Sequence, residues 1–172
     1  MSNVIYMKDW LKKKEEKKYE HLSPDEKFSK ACRLSDAYED SEDAQRLYEE
    51  VIRARPDHWS AVINLGNVFF AQGKSVNAIA QWERALVLNS QATEASYNLG
   101  YIYFQQNQMK KALQYFKTSI DIDPNFADAH FNIAETYAFM KKNSLAKEHY
   151  KKYVEIAPEG PWSELARTRI SR

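Results

Sequence analysis

The sequence is short of the residues that staple, bend or charge a chain in one direction. Cys32 is its one cysteine, so no internal disulfide can form and a disulfide scaffold is excluded. Glycine occurs 4 times and proline 5 times in 172 residues, too few for a turn-rich sheet and well suited to helices. Neither sign of charge dominates: Lys plus Arg is 25, Asp plus Glu is 24, and the net charge is +1. A surface that neutralises phosphates needs a basic excess, so nucleic acid is not an expected partner. No apolar run approaches the roughly 18 residues that a membrane span requires. The opening residues lack the basic-then-apolar order of a secretory signal, and a cytoplasmic protein is expected.

Catalytic signatures are missing too. His21, His58, His130 and His149 have no partners at metal-ligand spacing, and neither a Gly-rich phosphate loop nor a nucleophile motif occurs. Asp40, Glu42 and Asp43 read as a solvated turn between helices rather than a metal site. No enzyme, metal or cofactor is expected. Cys32 falls where the repeats described next place a small packing residue, which predicts a buried, structural thiol.

What the sequence does contain is a beat of 34 residues. Asn64-Leu65-Gly66 returns as Asn98-Leu99-Gly100 and as Asn132-Ile133-Ala134. Three further columns keep the period: Ala44, Ala78, Ala112 and Ala146; Tyr48, Trp82, Phe116 and Tyr150; Pro56, Ser90, Pro124 and Pro158. Such a period means stacked units, each too small to bury its apolar face alone. The frame runs as 25–58, 59–92, 93–126 and 127–160, with two helices per unit. Helices over 59–72 and 76–89 are predicted for the second. Ser23, Pro24 and Glu26 mark the first helix start through a capping box. Gly73 and Asn107 tolerate the left-handed backbone between paired helices, whereas Glu39 and Lys141 do not favour it. Small residues in two columns let helix axes approach, and the large aromatics fill the space between units. Proline ends the second helix of its unit. Ser90 breaks that column and predicts a softer junction.

Two segments flank the array. Val4, Ile5, Met7, Trp10 and Leu11 form an apolar cluster in an amphipathic, charged extension over 1–22. It reads as a helix packed on the first unit, or as a docking segment for a partner, a second copy or the protein's own groove. Residues 161–172 carry Trp162, Leu165, Ala166 and Ile170 at helical spacing and predict a helix capping the last unit.

These columns resemble the tetratricopeptide repeat. The resemblance rests on Leu65-Gly66, Phe69, Ala78, Trp82 and Ala85; on Leu99-Gly100, Tyr103, Ala112, Phe116 and Pro124; and on Ile133-Ala134, Tyr137, Ala146, Tyr150 and Pro158. The first unit is degenerate, with Ala31-Cys32 and Ser35 in place of the usual residues. The implied fold is all-α: a right-handed α-solenoid of antiparallel helix pairs.

The resemblance also implies a non-enzymatic adaptor whose concave groove, lined by the first helix of each unit, binds a peptide segment or helix of another protein. Carried over by position, the lining holds Ile63, Asn67 and Phe70, then Glu94, Tyr97, Tyr101, Phe104 and Gln105, then Asp128, Phe131, Glu135 and Phe139. Asn64, Asn98 and Asn132 recur one unit apart. As amides they could pair with an extended peptide backbone, or bond within the repeats. The family's chaperone-tail binders clamp a C-terminal carboxylate with cations around two asparagines. Asn67 and Asn98 occupy the asparagine places here, but Ile63, Asp128 and Asn132 occupy the cationic ones. No preference for an acidic tail is therefore expected, and the groove should favour apolar and basic residues. The alternatives are self-assembly, as a dimer or an autoinhibited monomer through the N-terminal segment, and RNA binding by the aromatic surface, against which the charge balance argues.

Overall fold

A computed structural model describes residues 18–36 and 41–171. Val4, Ile5, Met7, Trp10, Leu11 and the Glu39 turn lie outside the described residues. Helices follow one another as α1 (Pro24–Asp36), α2 (Ser41–Ala54), α3 (Trp59–Ala71), α4 (Ser75–Leu88), α5 (Thr93–Gln105), α6 (Met109–Ile122), α7 (Ala127–Phe139), α8 (Asn143–Ile156) and α9 (Pro161–Ser171). First helices have 13 residues and second helices 14 in all four pairs, so the sequence beat is also a structural one. Each helix packs on the next, α1 touches α3, and α5 touches α7. First helices therefore stand side by side along one face, with second helices behind them. Among the described residues no helix is long and apolar enough to cross a membrane.

Local chemistry sets the helix ends. The Ser23 backbone N–H donates to Glu26 Oε2 at 2.8 Å, and the Glu26 N–H faces Ser23 Oγ at 3.4 Å, which is the reciprocal capping box. These bonds from Ser23 hold the Glu26 carboxyl below its ordinary range. Three turns between paired helices share one geometry. Gly73 (φ 74°), Asn107 (φ 62°) and Lys141 (φ 58°) are all left-handed. In each, that residue's N–H and the next one's reach back to the preceding helix: Gly73 to Phe70 O and Lys74 to Phe69 O, Asn107 to Phe104 O and Gln108 to Tyr103 O, Lys141 to Ala138 O and Lys142 to Tyr137 O. This is the Schellman pattern. It overrides the lysine's own preference at Lys141.

The Ser90 junction has its own device. Asn89 leaves α4 in extended conformation, and its Oδ1 accepts the Gln91 N–H at 3.0 Å. Asp123 does the same for the Asn125 N–H at 2.9 Å, at the junction where Pro124 is present. The side-chain turn, rather than proline alone, directs the chain out of the helix.

The core follows the columns. Ala44, Ala78 and Ala112 are fully buried, as is Phe116, and Tyr48, Trp82 and Tyr150 nearly so. Glycine occupies the preceding helix where two of these rings, Trp82 and Phe116, approach it. A Cβ on Gly66 would meet Trp82 Nε1 at 2.5 Å, and one on Gly100 would meet Phe116 Cδ1 at 2.5 Å. Helix α9 buries Ala166 and Ser163 against α8, and the Ser163 hydroxyl donates to the Ala157 and Glu159 carbonyls.

Candidate functional site

The face formed by α3, α5, α7 and α9 carries the predicted groove residues. At its centre Asn67 Oδ1 accepts from Trp82 Nε1 at 3.0 Å and from Asn98 Nδ2 at 2.8 Å. Asn67 Nδ2 donates to Glu94 Oε1 at 3.1 Å. One unit on, Asn132 Nδ2 donates to the Tyr97 hydroxyl at 3.0 Å and to the Asp128 carbonyl at 2.9 Å. Asn64 Nδ2 lies 3.6 Å from Cys32 Sγ. One amide N–H each of Asn64 and Asn98, and both of Asn132, are thus engaged within the array. Among the described residues none donates to the amide oxygens of Asn98 and Asn132. Among the described residues Asn98 keeps one amide N–H and its oxygen without a partner and Asn132 keeps its oxygen, so the ladder offers both donor and acceptor capacity.

Aromatic rings surround these amides. Phe70 packs against Trp82 and edge-on against Tyr101. Tyr97 and Tyr101 stack with centroids 6.4 Å apart. Phe131 meets Tyr150, Tyr153 and Trp162 edge-on at 5.7, 5.2 and 5.4 Å. Tyr101 and Trp162 remain exposed, Trp162 to 59%. Two cavities open here. One, about 720 Å³, is lined by residues that include Cys32, Ser35, Tyr48, Asn64, Asn67, Val68 and Gln72. The other, about 300 Å³, is lined by Tyr97, Tyr101, Asp128, Phe131, Asn132, Tyr153 and Trp162. Burial, with the Asp128 charge nearby, pushes the Tyr97 phenol up to about 12. Burial and the adjacent Glu135 carboxylate raise Tyr150 as well. Both phenols are neutral at physiological pH.

Several predicted residues fall elsewhere. Ile63 is only 2% exposed; it lies in the core and cannot line an open groove. Phe104 is half-buried against the same core. Glu135 accepts the Tyr150 hydroxyl and lies 3.8 Å from Arg169 Nε, so its charge is held by the protein's own residues. Gln105 is exposed at the end of α5, and Phe139 at the end of α7. Cys32 was expected to be buried, yet it is half-buried and faces the larger cavity. Tyr48 donates to its Sγ at 3.5 Å.

Sequence reasoning did not place Trp162 and Tyr153 at this face, where both line the smaller cavity. The signal for Trp162 was present: one more step of 34 from Asp128 reaches 162, so this ring continues the column of Glu94 and Asp128 onto α9. Also missed was the meeting of His130 and His149, whose Nδ1 atoms lie 3.2 Å apart across α7 and α8. Among the described residues no group of three or more His, Cys, Asp or Glu is placed to hold a metal ion.

Comparisons with known proteins bear on the fold. Family profiles described as tetratricopeptide or TPR repeats match residues 66–107, 93–126 and 127–159. No curated protein matches the chain. Among solved structures, a crystal structure of MamA superposes with a TM-score of 0.68 at 24% identity, covering 82% of this chain and 86% of that one. MamA 41-end from Desulfovibrio magneticus RS-1 gives 0.69 at 21% identity, covering 81% and 78%. A tetratricopeptide repeat protein from Parabacteroides merdae gives 0.73 at 19% identity, covering 86% of this chain and 59% of that one. At these identities the likeness is one of fold.

Proposed function

Because the chain belongs to the tetratricopeptide repeat family, we propose that it is a non-enzymatic adaptor whose first-helix face binds an extended segment of another protein. One observation carries the reading. Tyr101, Trp162 and the Asn98 and Asn132 amide oxygens lie together on one face, and the fold itself does not use them fully. Exposed aromatic rings anchor partners by losing water on contact. Amide oxygens spaced one unit apart can accept from the backbone N–H groups of a segment laid along them, whatever its side chains. A cytoplasmic location is part of the same proposal. The net charge of +1 speaks against an RNA partner.

The test is a lysate pull-down read by mass spectrometry, with the wild type beside an Asn98→Ala/Tyr101→Ala variant whose helicity is checked by circular dichroism. A partner captured by the wild type and lost by the folded variant is the expected result. Equal capture by both would move the site off this face. Recovery of the protein's own chain alone would make self-assembly the account.

A further inference from the structure

The groove reading names a face but not the chemistry of what it holds. The cavity between α5, α7 and α9 is more specific. Five aromatic side chains line it: Tyr97, Tyr101, Phe131, Tyr153 and Trp162. They come from four helices, and Trp162 on α9 closes the far side with its ring 5.4 Å from Phe131. The remaining lining residues are Asp128 and Asn132. Among the described residues the Asp128 carboxylate makes no ion pair and takes no hydrogen bond, and no lysine, arginine or histidine lines the cavity. Asn132 has both its Nδ2 contacts, to Tyr97 and to Asp128 O, on the protein, which leaves its Oδ1 as an open acceptor. The cavity therefore combines π faces, one uncompensated carboxylate and one open amide oxygen.

We propose that this cavity is a subsite for an arginine side chain of the bound segment. Ring faces carry negative potential and attract a cation placed over them. The carboxylate lacks a counter-ion that an arginine would supply. A guanidinium is flat enough to lie against the rings, sheds water more readily than an ammonium, and carries five N–H donors. Two of those donors can meet Asp128 while another reaches Asn132 Oδ1. An acidic or C-terminal carboxylate ligand would meet Asp128 with nothing to offset the repulsion. The proposal rests on the groove reading and adds the residue that fixes the segment's register at its α9 end.

Tryptophan 162 provides the reporter. The full chain, labelled with 5-fluorotryptophan, is titrated with capped Leu-Arg-Leu, Leu-Lys-Leu and Leu-citrulline-Leu tripeptides and followed by fluorine NMR. Trp162→Phe assigns the resonance. Saturable movement of the Trp162 signal by the arginine peptide is expected, with Trp82 unmoved as an internal control. Citrulline keeps the shape and loses the charge, so its peptide should bind about tenfold more weakly or worse. Asp128→Asn should narrow the distinction between the two to what the rings alone supply. Asp128 is exposed, so this variant keeps the fold. Equal binding of arginine and citrulline peptides, tighter binding of the lysine peptide, or no saturable response at Trp162 would each overturn the proposal. The groove reading stands or falls separately. Partner capture that depends on Asn98 and Tyr101 but survives Asp128→Asn sinks the arginine subsite alone.

Discussion

At Gly100 the backbone of α5 lies against the ring of Phe116, and the space for a methyl group is taken. Gly100→Ala would place a carbon 2.5 Å from Cδ1 of a fully buried ring. Helix propensity alone favours alanine by about 1 kcal/mol. Overpacking of this fully buried ring opposes it by about 1–3 kcal/mol. Net destabilisation is expected in urea unfolding. A neutral or stabilising result would mean that the ring moves. A second residue-scale prediction concerns His149. His130 Nε2 is 3.1 Å from the Pro124 carbonyl and must donate to it, so His130 Nδ1 accepts from His149 Nδ1–H at 3.2 Å. Burial, His130 and Lys117 lower the His149 pKa below its ordinary value. The folded state therefore prefers neutral His149. That preference contributes stability above the unfolded pKa of about 6.5 and is lost as pH falls below it towards the folded value. Thermal midpoints between about pH 7 and pH 5.5 should drop in the wild type and drop less in His149→Gln. Parallel profiles would remove His149 as the cause.

At the scale of elements, Lys141 shows what the repeat imposes. Its φ of 58° is the conformation of Gly73 and Asn107 at the same place in the two preceding pairs. A side chain there costs roughly 1–2 kcal/mol, and glycine gives back part of that through the freedom of its unfolded chain. Lys141→Gly is therefore expected to stabilise the protein by about 0.5–1 kcal/mol in chemical denaturation. No gain would mean that contacts of the lysine offset the strain. The same comparison marks what was legible in the sequence. Helix pairs, the Gly66 and Gly100 approaches and the aromatic column could be read, because each recurs with the period and each follows from size or backbone freedom. Lys141 could not, since its conformation is dictated by the hydrogen bonds of the turn and not by its own preference. The site was read less well for a related reason. Period assigns a residue to a helix position, but whether Ile63 turns to the core, or Glu135 to Tyr150 and Arg169, depends on neighbours from other helices.

On the scale of the whole molecule, every described helix packs chiefly on its sequence neighbours. Stability in such an array is a sum of unit terms and nearest-neighbour terms, so the consequence of a lesion depends on where it lies. Ala44 and Ala112 are both fully buried and occupy the same column, one in the first helix pair and one in the third. Substitution of either by phenylalanine overpacks its own pair by a comparable amount, about 1–3 kcal/mol. Ala44→Phe strikes a pair that meets the other described helices through α3, so that pair can unfold while the rest of the array stays folded. Ala112→Phe strikes a pair held between α4 and α7, and its loss removes two interfaces together. Thermal unfolding followed by circular dichroism should separate them. Ala112→Phe is expected to unfold in one transition at a lowered midpoint. Ala44→Phe is expected to show an early partial loss of helix followed by a main transition near that of the wild type. The reverse pattern, or one shared midpoint for both variants, would mean that cooperativity spans the whole chain and that the nearest-neighbour description does not apply.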